Sequence, residues 1–296
     1  MRALRNVPVS LIRLNTDDLL TGWILHLTPT SMQISSEQFD VNPKEVTAVY
    51  YRRAYSPRPP ANASQDAADF IVREARTVLR ALYAELRCPW ISHHAAISAA
   101  ENKPTQLSLA ARLGFSVPAT IVTNDPLTAR QFALCHHRVV LKALSYGDLG
   151  GGRVLHTTLI ETWAEDFDAD IRVAPHLLQR FIEKAYDYRV TVVDNSVFAC
   201  RIDSQAFPEY SVDMRRGLAD ERMHHEQKTL PDTVSKLCVA IVAQLGLRFG
   251  AIDLIQDRSG QFWFLEINPN GQWAWIQDRT GAPIASTIAK ALTRND

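Results

Sequence analysis

The chain has little cysteine, no long hydrophobic run and no excess charge of either sign. Its four cysteines in 296 residues show neither a CxxC pair nor a zinc-ligand spacing, so we expect reduced, buried thiols in a cytoplasmic protein. No apolar run is long enough to span a bilayer, and no signal peptide is visible, which argues against a membrane protein. Lys+Arg and Asp+Glu both total 32, so no net field favours nucleic acid or acidic membranes as partners.

The pattern of apolar residues predicts an α/β (α+β) protein built from three units. A small α/β unit covers residues 1–99, with a strand over Val7–Leu14 and a helix whose apolar residues recur at helical spacing from Ile71 to Leu86. The chain starts in what resembles a helix end, so the first strand of this unit is expected to be missing. The second unit covers residues 100–175 and the third covers residues 176–296.

The most informative segment lies near the C-terminus, where an apolar strand carries an acid and an amide two residues apart. Glu266 and Asn268 therefore point to one face of the strand. An upstream apolar run holds Asp253, and the segment Gln256–Gly260 between the runs predicts a hairpin that brings Asp253 to the same face. Three oxygen donors on a strand surface suit Mg²⁺, and so few protein ligands imply phosphates as the others.

A lysine in an apolar strand is the second notable feature. Lys142 must meet an anion or reach solvent, and a glycine-rich loop that includes Gly150 and Gly151 follows it directly. Backbone amides of such a loop can approach phosphate oxygens closely. The loop matches neither the Walker A pattern nor GxGxxG, so an edge-strand lysine beside a surface hairpin tip stays an alternative.

Two later segments also suggest anion or nucleotide binding. The backbone of the apolar stretch Gln179–Lys184 could hold an adenine edge and Glu183 a ribose, although an acid at an element end explains Glu183 equally well. Arg189 and Arg201 lie on the two arms of a hairpin that turns at Asp194-Asn195-Ser196. Guanidinium groups suit oxyanions, and a solvated cross-strand role is the alternative for Arg189.

The order of these features along the chain, from Lys142 and the glycine-rich loop through Arg189 to Asp253, Glu266 and Asn268, resembles that of the ATP-grasp superfamily. Within it, the chain most resembles the ribosomal peptide maturases of the microviridin type (graspetide synthetases). Shorter pieces that point to this branch are Tyr50-Tyr51-Arg52-Arg53, Asn102-Lys103, Gln106-Leu107, Leu113-Gly114 and Asp213-Met214-Arg215. The family's Asp-Trp-Arg motif has an aromatic residue where this chain has Met214. The resemblance implies an ATP-grasp fold in which two α+β subdomains clasp ATP behind a truncated pre-ATP-grasp domain.

The resemblance also implies roles for individual residues and a chemistry. Phosphates of ATP would be held by Lys103 and Lys142, the adenine by backbone at Phe181 and Ile182, and the ribose by Glu183. Mg²⁺ would be held by Asp253, Glu266 and Asn268, while Arg189, Arg201 and Lys142 would neutralise the transferring phosphoryl group. A side-chain carboxylate would become an acyl phosphate, which a Ser/Thr hydroxyl or Lys amine displaces to close a macrocyclic ester or amide.

The implied partner is a precursor peptide with leader and core segments, and homodimers are in keeping with the family. Candidate contacts for peptide carboxylates are Arg52, Arg53 and Arg215, with solvated surface arginine as the alternative, and Asp213 is a further candidate for substrate binding. Three other functions stay open: a ligase that adds an amino acid to a peptide or protein, a non-catalytic peptide-binding partner, and a phosphotransferase that leaves a stable phosphate.

Overall fold

The computed structural model describes residues 9–145, 156–164, 166–218 and 220–293. The chain divides into two compact units, an N-terminal unit of Met1–His93 with Ile288–Asp296, and a larger unit of His94–Thr287. No helix in the described ranges is long and apolar enough to cross a membrane. All four cysteines are free thiols; Cys200 and Cys238 are buried as expected, but Cys135 is exposed.

The N-terminal unit packs a long helix against short strands. Its elements are α1 (Leu19–Gly22), β1 (Ile24–Leu27), β2 (Met32–Ser35), β3 (Asp40–Val41), β4 (Val49–Tyr50), α2 (Gln65–Glu85) and β5 (Trp90–Ile91). β1, β2 and β3 form an antiparallel sheet, and β4 pairs with β5 in parallel. The apolar stripe of α2 buries Ala75, Leu79 and Leu82 against Met32 and Ile34, the core that the helical spacing predicts.

The strand predicted over Val7–Leu14 is wrong for the residues that the structure describes. Residues 9–14 form no strand. Val9 and Leu11 are 44% and 46% exposed, so these two apolar side chains are not buried against a sheet in the described structure. Apolar content alone does not make a strand when no neighbouring strand is there to pair with it.

The larger unit contains two sheets, and the first has the order β6-β9-β7-β8, with every pairing antiparallel. Its strands are β6 (Thr120–Thr123), β7 (Val139–Lys142), β8 (Thr158–Ile160) and β9 (His176–Arg180). Helices α5 (Pro126–His136) and α6 (Phe167–Val173) cover it around a core that includes Val139, Ile171 and Leu178. Because β9 pairs with β6 and β7, this sheet extends past residue 175, where we expected the third unit to begin.

The second sheet has the order β12-β11-β10-β13-β14 and is antiparallel throughout. Its strands are β10 (Lys184–Val193), β11 (Ser196–Ile202), β12 (His225–Lys228), β13 (Phe249–Asp257) and β14 (Phe262–Asn268), and α7 (Asp232–Gln244) packs on one face. At Gly250 a Cβ would lie 2.6 Å from Ile267 Cδ1 and 3.0 Å from Val242 Cγ2. The Gly250 face is therefore the one against α7, and the other face is left for polar residues.

The other α-helices in the described ranges are α3 (His94–Ala100), α4 (Lys103–Leu113), α8 (Ala274–Thr280) and α9 (Ile284–Thr293). Helix α4 is delimited as its sequence predicts. The Asn102 side chain accepts a hydrogen bond from the Thr105 amide, Pro104 lies in the first turn, and Gly114 ends the helix with φ 102°. These local signals fix the position of Lys103 at the start of the helix.

Candidate active site

A row of charged side chains crosses three neighbouring strands of the five-stranded sheet. Arg189 on β10 lies opposite Asp253 on β13, and Asp253 lies opposite Glu266 on β14. Directly opposed residues share a face, so these three side chains lie on the face away from α7. Asn268 lies opposite Ala251, two residues along from Asp253, and therefore shares that face.

The two carboxylates of this row have opposite pKa shifts. Burial raises the pKa of Asp253 to about 6, with the Glu266 charge adding to the effect and Arg189, whose Nε lies 2.6 Å from Asp253 Oδ1, opposing it. Burial also acts to raise the pKa of Glu266, but nearby cations outweigh it and the net pKa is lowered. Those cations include Lys103, whose Nζ lies 3.6 Å from Glu266 Oε2.

Two adjacent acids, Asp253 buried and Glu266 half-buried, suit a hard cation, because a cation between them would remove their mutual repulsion. Within the described ranges, no group of three or more His, Cys, Asp and Glu side chains gathers as a metal site. The donors on this face are Asp253 and Glu266 with the Asn268 amide oxygen, which also accepts from the Asn270 amide at 2.9 Å. This set fits Mg²⁺ that draws its other ligands from phosphates.

The two predicted lysines approach the acids from neighbouring elements. Lys103 Nζ donates to the carbonyls of Ala143, at 2.6 Å, and Ser145, at 3.4 Å. Lys142 Nζ donates to Gln179 Oε1 at 2.7 Å. Burial lowers the pKa of Lys142 to about 8, and the Glu266 charge opposes this shift. An anion bound here would therefore take the place of the backbone carbonyl and side-chain amide oxygens that the two lysines contact.

These elements enclose a cleft of about 890 Å³, including the open space at its mouth. Its walls include Lys103, Lys142, Phe181, Ile182, Asp253 and Glu266. The cleft thus combines a polar, charged floor with an apolar stretch at the end of β9. That combination suits a nucleotide, whose base and phosphates need different surroundings.

Asp213 and Arg215 line the same cleft. Arg215 Nε and Nη2 donate to Asp213 Oδ1 and Oδ2 at 2.8 and 2.7 Å, a bidentate pair. These bonds outweigh burial and hold the pKa of Asp213 well below its usual range, and they raise the pKa of Arg215. Arg215 Nη1 lies 3.7 Å from Glu266 Oε1, so the Asp-x-Arg segment meets the row of acids.

Comparison with family models identifies the fold. The model described as a RimK-like ATP-grasp domain matches residues 100–292, and the model described as an MvdD pre-ATP grasp domain matches residues 1–98. The chain belongs to the RimK-like ATP-grasp family. The predicted α/β class, the ATP-grasp fold and the resemblance to ATP-grasp peptide maturases are confirmed, and so is the assignment of the chain as an ATP-grasp ligase.

Three individual proteins, two of them with solved structures, are also similar to this chain. The macrocyclase MdnC of Microcystis aeruginosa MRC is 27% identical with a TM-score of 0.87, covering 99% of this chain and 94% of that one. A RiPP-associated ATP-grasp ligase of Chryseobacterium gregarium is 25% identical with a TM-score of 0.90, covering 98% and 90%. A protein named "Probable alpha-L-glutamate ligase" of Enterobacter sp. (strain 638) is 26% identical over 69% of this chain and 67% of its own length.

Some predicted residues of this ATP-grasp chain lie elsewhere in the described structure. Arg201 lies opposite Tyr188 and points to the other face of the sheet from Arg189. There Arg201 Nη2 donates to Glu226 Oε2 at 2.7 Å, and its guanidinium carbon lies 4.3 Å from the centre of the Tyr186 ring. The structure therefore does not bring Arg201 to the row of acids.

Glu183 is also directed away from the cleft lining. Its side chain is 63% exposed, and its Oε1 lies 3.3 Å from Arg138 Nη1. The Arg138 guanidinium stacks on the Phe181 ring at 4.5 Å. Gly150 and Gly151 lie outside the described residues. Arg52 and Arg53 follow β4 in the N-terminal unit, and Arg53 has φ 47°.

Three polar residues of the cleft wall were not predicted from the sequence. Gln179 is 1% exposed; besides accepting from Lys142, it donates to Thr120 Oγ1 at 2.9 Å. Lys184 and Asp187 form a buried ion pair at 2.8 Å. Gln179 interrupts the apolar strand β9, the same signal that singled out Lys142, whereas Lys184 and Asp187 lie at the start of β10 among aromatic and charged residues.

Proposed function

We propose that this chain is an ATP-dependent ligase that cyclises a ribosomally made precursor peptide. It would activate Asp or Glu side chains as acyl phosphates and close esters with Ser or Thr, or amides with Lys. The observation that carries the proposal is the Asp213–Arg215 pair, which meets Glu266 in the cleft that also holds Lys103 and Lys142. An acceptor carboxylate and a nucleotide phosphate can therefore be held side by side.

Two relatives support a peptide as the acceptor. MdnC is described as bound with the precursor peptide MdnA, and the Chryseobacterium gregarium ligase is described in complex with ADP and a leader and core peptide. Both are similar to nearly the whole of this chain, including its N-terminal unit. Arg52 and Arg53 of that unit stay candidates for peptide contacts.

The nucleotide would be held by residues with different tasks. Lys103 and Lys142 supply positive charge for phosphate oxygens, and the backbone at Phe181 and Ile182 offers hydrogen-bonding groups beside an apolar wall. Asp253, Glu266 and Asn268 would hold Mg²⁺, which when bound supplies charge neutralisation to the phosphates. Arg189, fixed against Asp253 at 2.6 Å, adds a cation beside these acids without needing to move.

The proposed reaction consists of two successive displacements. A carboxylate oxygen of the peptide attacks the γ-phosphorus, the bond to ADP breaks, and the acyl phosphate forms. A hydroxyl or amine of the peptide then attacks the acyl carbon, phosphate leaves, and the nucleophile's proton is released. Arg215 would hold the acceptor carboxylate through Nη1, since its Nε and Nη2 already donate to Asp213.

A second candidate shares the first displacement and differs in the nucleophile. In that case a free amino acid would attack the acyl phosphate, and the product would be an extended peptide or protein. The 26% identity to the protein named "Probable alpha-L-glutamate ligase" favours this candidate. The Asp213–Arg215 pair serves both, because each begins with a bound carboxylate.

Mass spectrometry of a precursor peptide encoded beside this gene, incubated with the enzyme, ATP and Mg²⁺, separates the candidates. We expect the peptide to lose the mass of one water for each ring formed. A gain of one amino-acid residue, when free amino acids are supplied, would favour the second candidate. A gain of one phosphate, or no change of mass, would contradict the proposal.

A further inference from the structure

The strand that carries Glu266 and Asn268 lies at the outer edge of its sheet. β14 pairs only with β13 among the described strands, so every second residue points its backbone N–H and C=O away from the sheet. Ile267, between the two candidate cation ligands, is such a residue and is only 2% exposed. Buried backbone groups at an edge need partners from outside the sheet.

The Gln106 side chain provides both partners. Its Oε1 accepts from the Ile267 amide at 3.0 Å, and its Nε2 donates to the Ile267 carbonyl at 2.8 Å. Nε2 also donates to the Ala100 carbonyl at 2.6 Å. With 2% of its surface exposed, this amide pairs with Ile267 as a neighbouring strand would and ties it to the end of α3.

Gln106 and Lys103 lie one turn apart on α4, on the same side of the helix. Lys103 Nζ is 3.6 Å from the Glu266 carboxylate, while Gln106 holds the next residue by its backbone. Helix α4 therefore contacts Glu266 by charge and its strand by hydrogen bonds. A shift of β14 along or away from α4 would move Glu266 and Asn268 together.

We propose that Gln106 is a positioning residue that sets the geometry of the cation site by fixing the backbone between Glu266 and Asn268. The inference rests on the proposed function only in taking these two residues as cation ligands. Groups that orient metal ligands without touching the metal typically change metal affinity about 10–100-fold when they are removed. Loss of the Gln106 amide is expected to act in this way, because it frees both hydrogen-bonding groups of Ile267.

The test measures binding of Mn²⁺ together with a non-hydrolysable ATP analogue, by electron paramagnetic resonance of the free ion. Gln106→Met keeps the length and apolar stem of the side chain but has no amide. We expect its Mn²⁺ dissociation constant to rise about tenfold. Gln106→Glu keeps an acceptor for the Ile267 amide but loses both N–H donors of the amide. It should also raise the Mn²⁺ dissociation constant, and it is the variant to measure if Gln106→Met does not fold.

Ile241→Val is the control for a general loss of stability. Ile241 is fully buried on α7, which packs on the opposite face of the sheet, so this variant should lower the thermal midpoint and leave Mn²⁺ binding unchanged. If a folded Gln106 variant bound Mn²⁺ as tightly as the wild type, or if Ile241→Val bound it more weakly, the role of Gln106 would be overturned. The proposed function would not be affected by either result. Absence of Mn²⁺ binding in the wild-type protein would instead contradict the proposed cation site.

Discussion

Replacing Asp213 by Asn should weaken acceptor binding while leaving nucleotide binding intact. Asp213 Oδ1 accepts from the Arg215 amide and Nε, and Oδ2 accepts from Arg215 Nη2 and the Thr157 amide. Asn keeps one acceptor oxygen, but its NH₂ group cannot accept the second pair of donors. Arg215 then loses a charge-assisted hydrogen bond and its counter-ion, and its guanidinium is no longer held in one orientation.

The size of the effect follows from the exposure of the pair. A hydrogen bond between charged groups contributes about 1.5–3 kcal/mol. The Arg215 side chain is 38% exposed, so solvent screening favours the lower part of that range. A loss of about 2 kcal/mol in fixing Arg215 corresponds to about a thirtyfold fall in kcat/KM for the peptide.

The chain contains a matched control seven residues later. Asp220 accepts from the Arg222 amide, Nε and Nη2 in the same arrangement, but the Arg222 side chain is 67% exposed and outside the cleft lining. Steady-state kinetics with peptide and ATP varied separately should show the fall for Asp213→Asn and none for Asp220→Asn. An unchanged peptide kcat/KM in Asp213→Asn, or an equal fall in kcat/KM for ATP, would refute the assignment of Arg215 to the acceptor.

Two further predictions test the acid row and Lys142. Glu266→Ala should abolish turnover while thermal unfolding stays cooperative, since Glu266 faces the cleft. The control is Glu226→Ala, which lies on the other face beside Arg201 and should remain active. Full activity of the Glu266 variant would exclude Glu266 as a cation ligand. Because burial lowers the pKa of Lys142 to about 8, the free enzyme loses this cation as pH rises through 8, so kcat/KM for ATP should fall there. Lys142→Arg, charged throughout this range, should keep its kcat/KM for ATP above that pH, and a falling limb identical to the wild type would contradict the role of Lys142.

The sequence was sufficient where a single local rule decides the geometry. The alternation of strand side chains placed Glu266 and Asn268 together, and the short turn between two apolar runs placed Asp253 beside them. Helix α4 followed from its Asn102 cap and Gly114 end. Each of these predictions depends on residues within about one hairpin or one helix, which a sequence shows directly.

Register and long-range contacts were less accessible. Taking Asp194-Asn195-Ser196 as a three-residue turn would set Arg189 opposite Arg201, but the structure pairs Val193 with Ser196 and so turns on two residues. A slip of one residue moves a side chain to the other face, which is why Arg201 points away from the acids. The contact between Gln106 and Ile267 joins residues 161 positions apart, and no local pattern encodes it.

The most direct test of the central claim follows an oxygen atom. A precursor peptide with oxygen-18 in its Asp and Glu carboxylates is incubated with enzyme, ATP and Mg²⁺, and the released phosphate is analysed by mass spectrometry. If a peptide carboxylate is phosphorylated and phosphate is then displaced, each ring closed releases one phosphate, and each of these phosphates carries one labelled oxygen. Cyclised peptide accompanied by unlabelled phosphate would contradict the acyl-phosphate account.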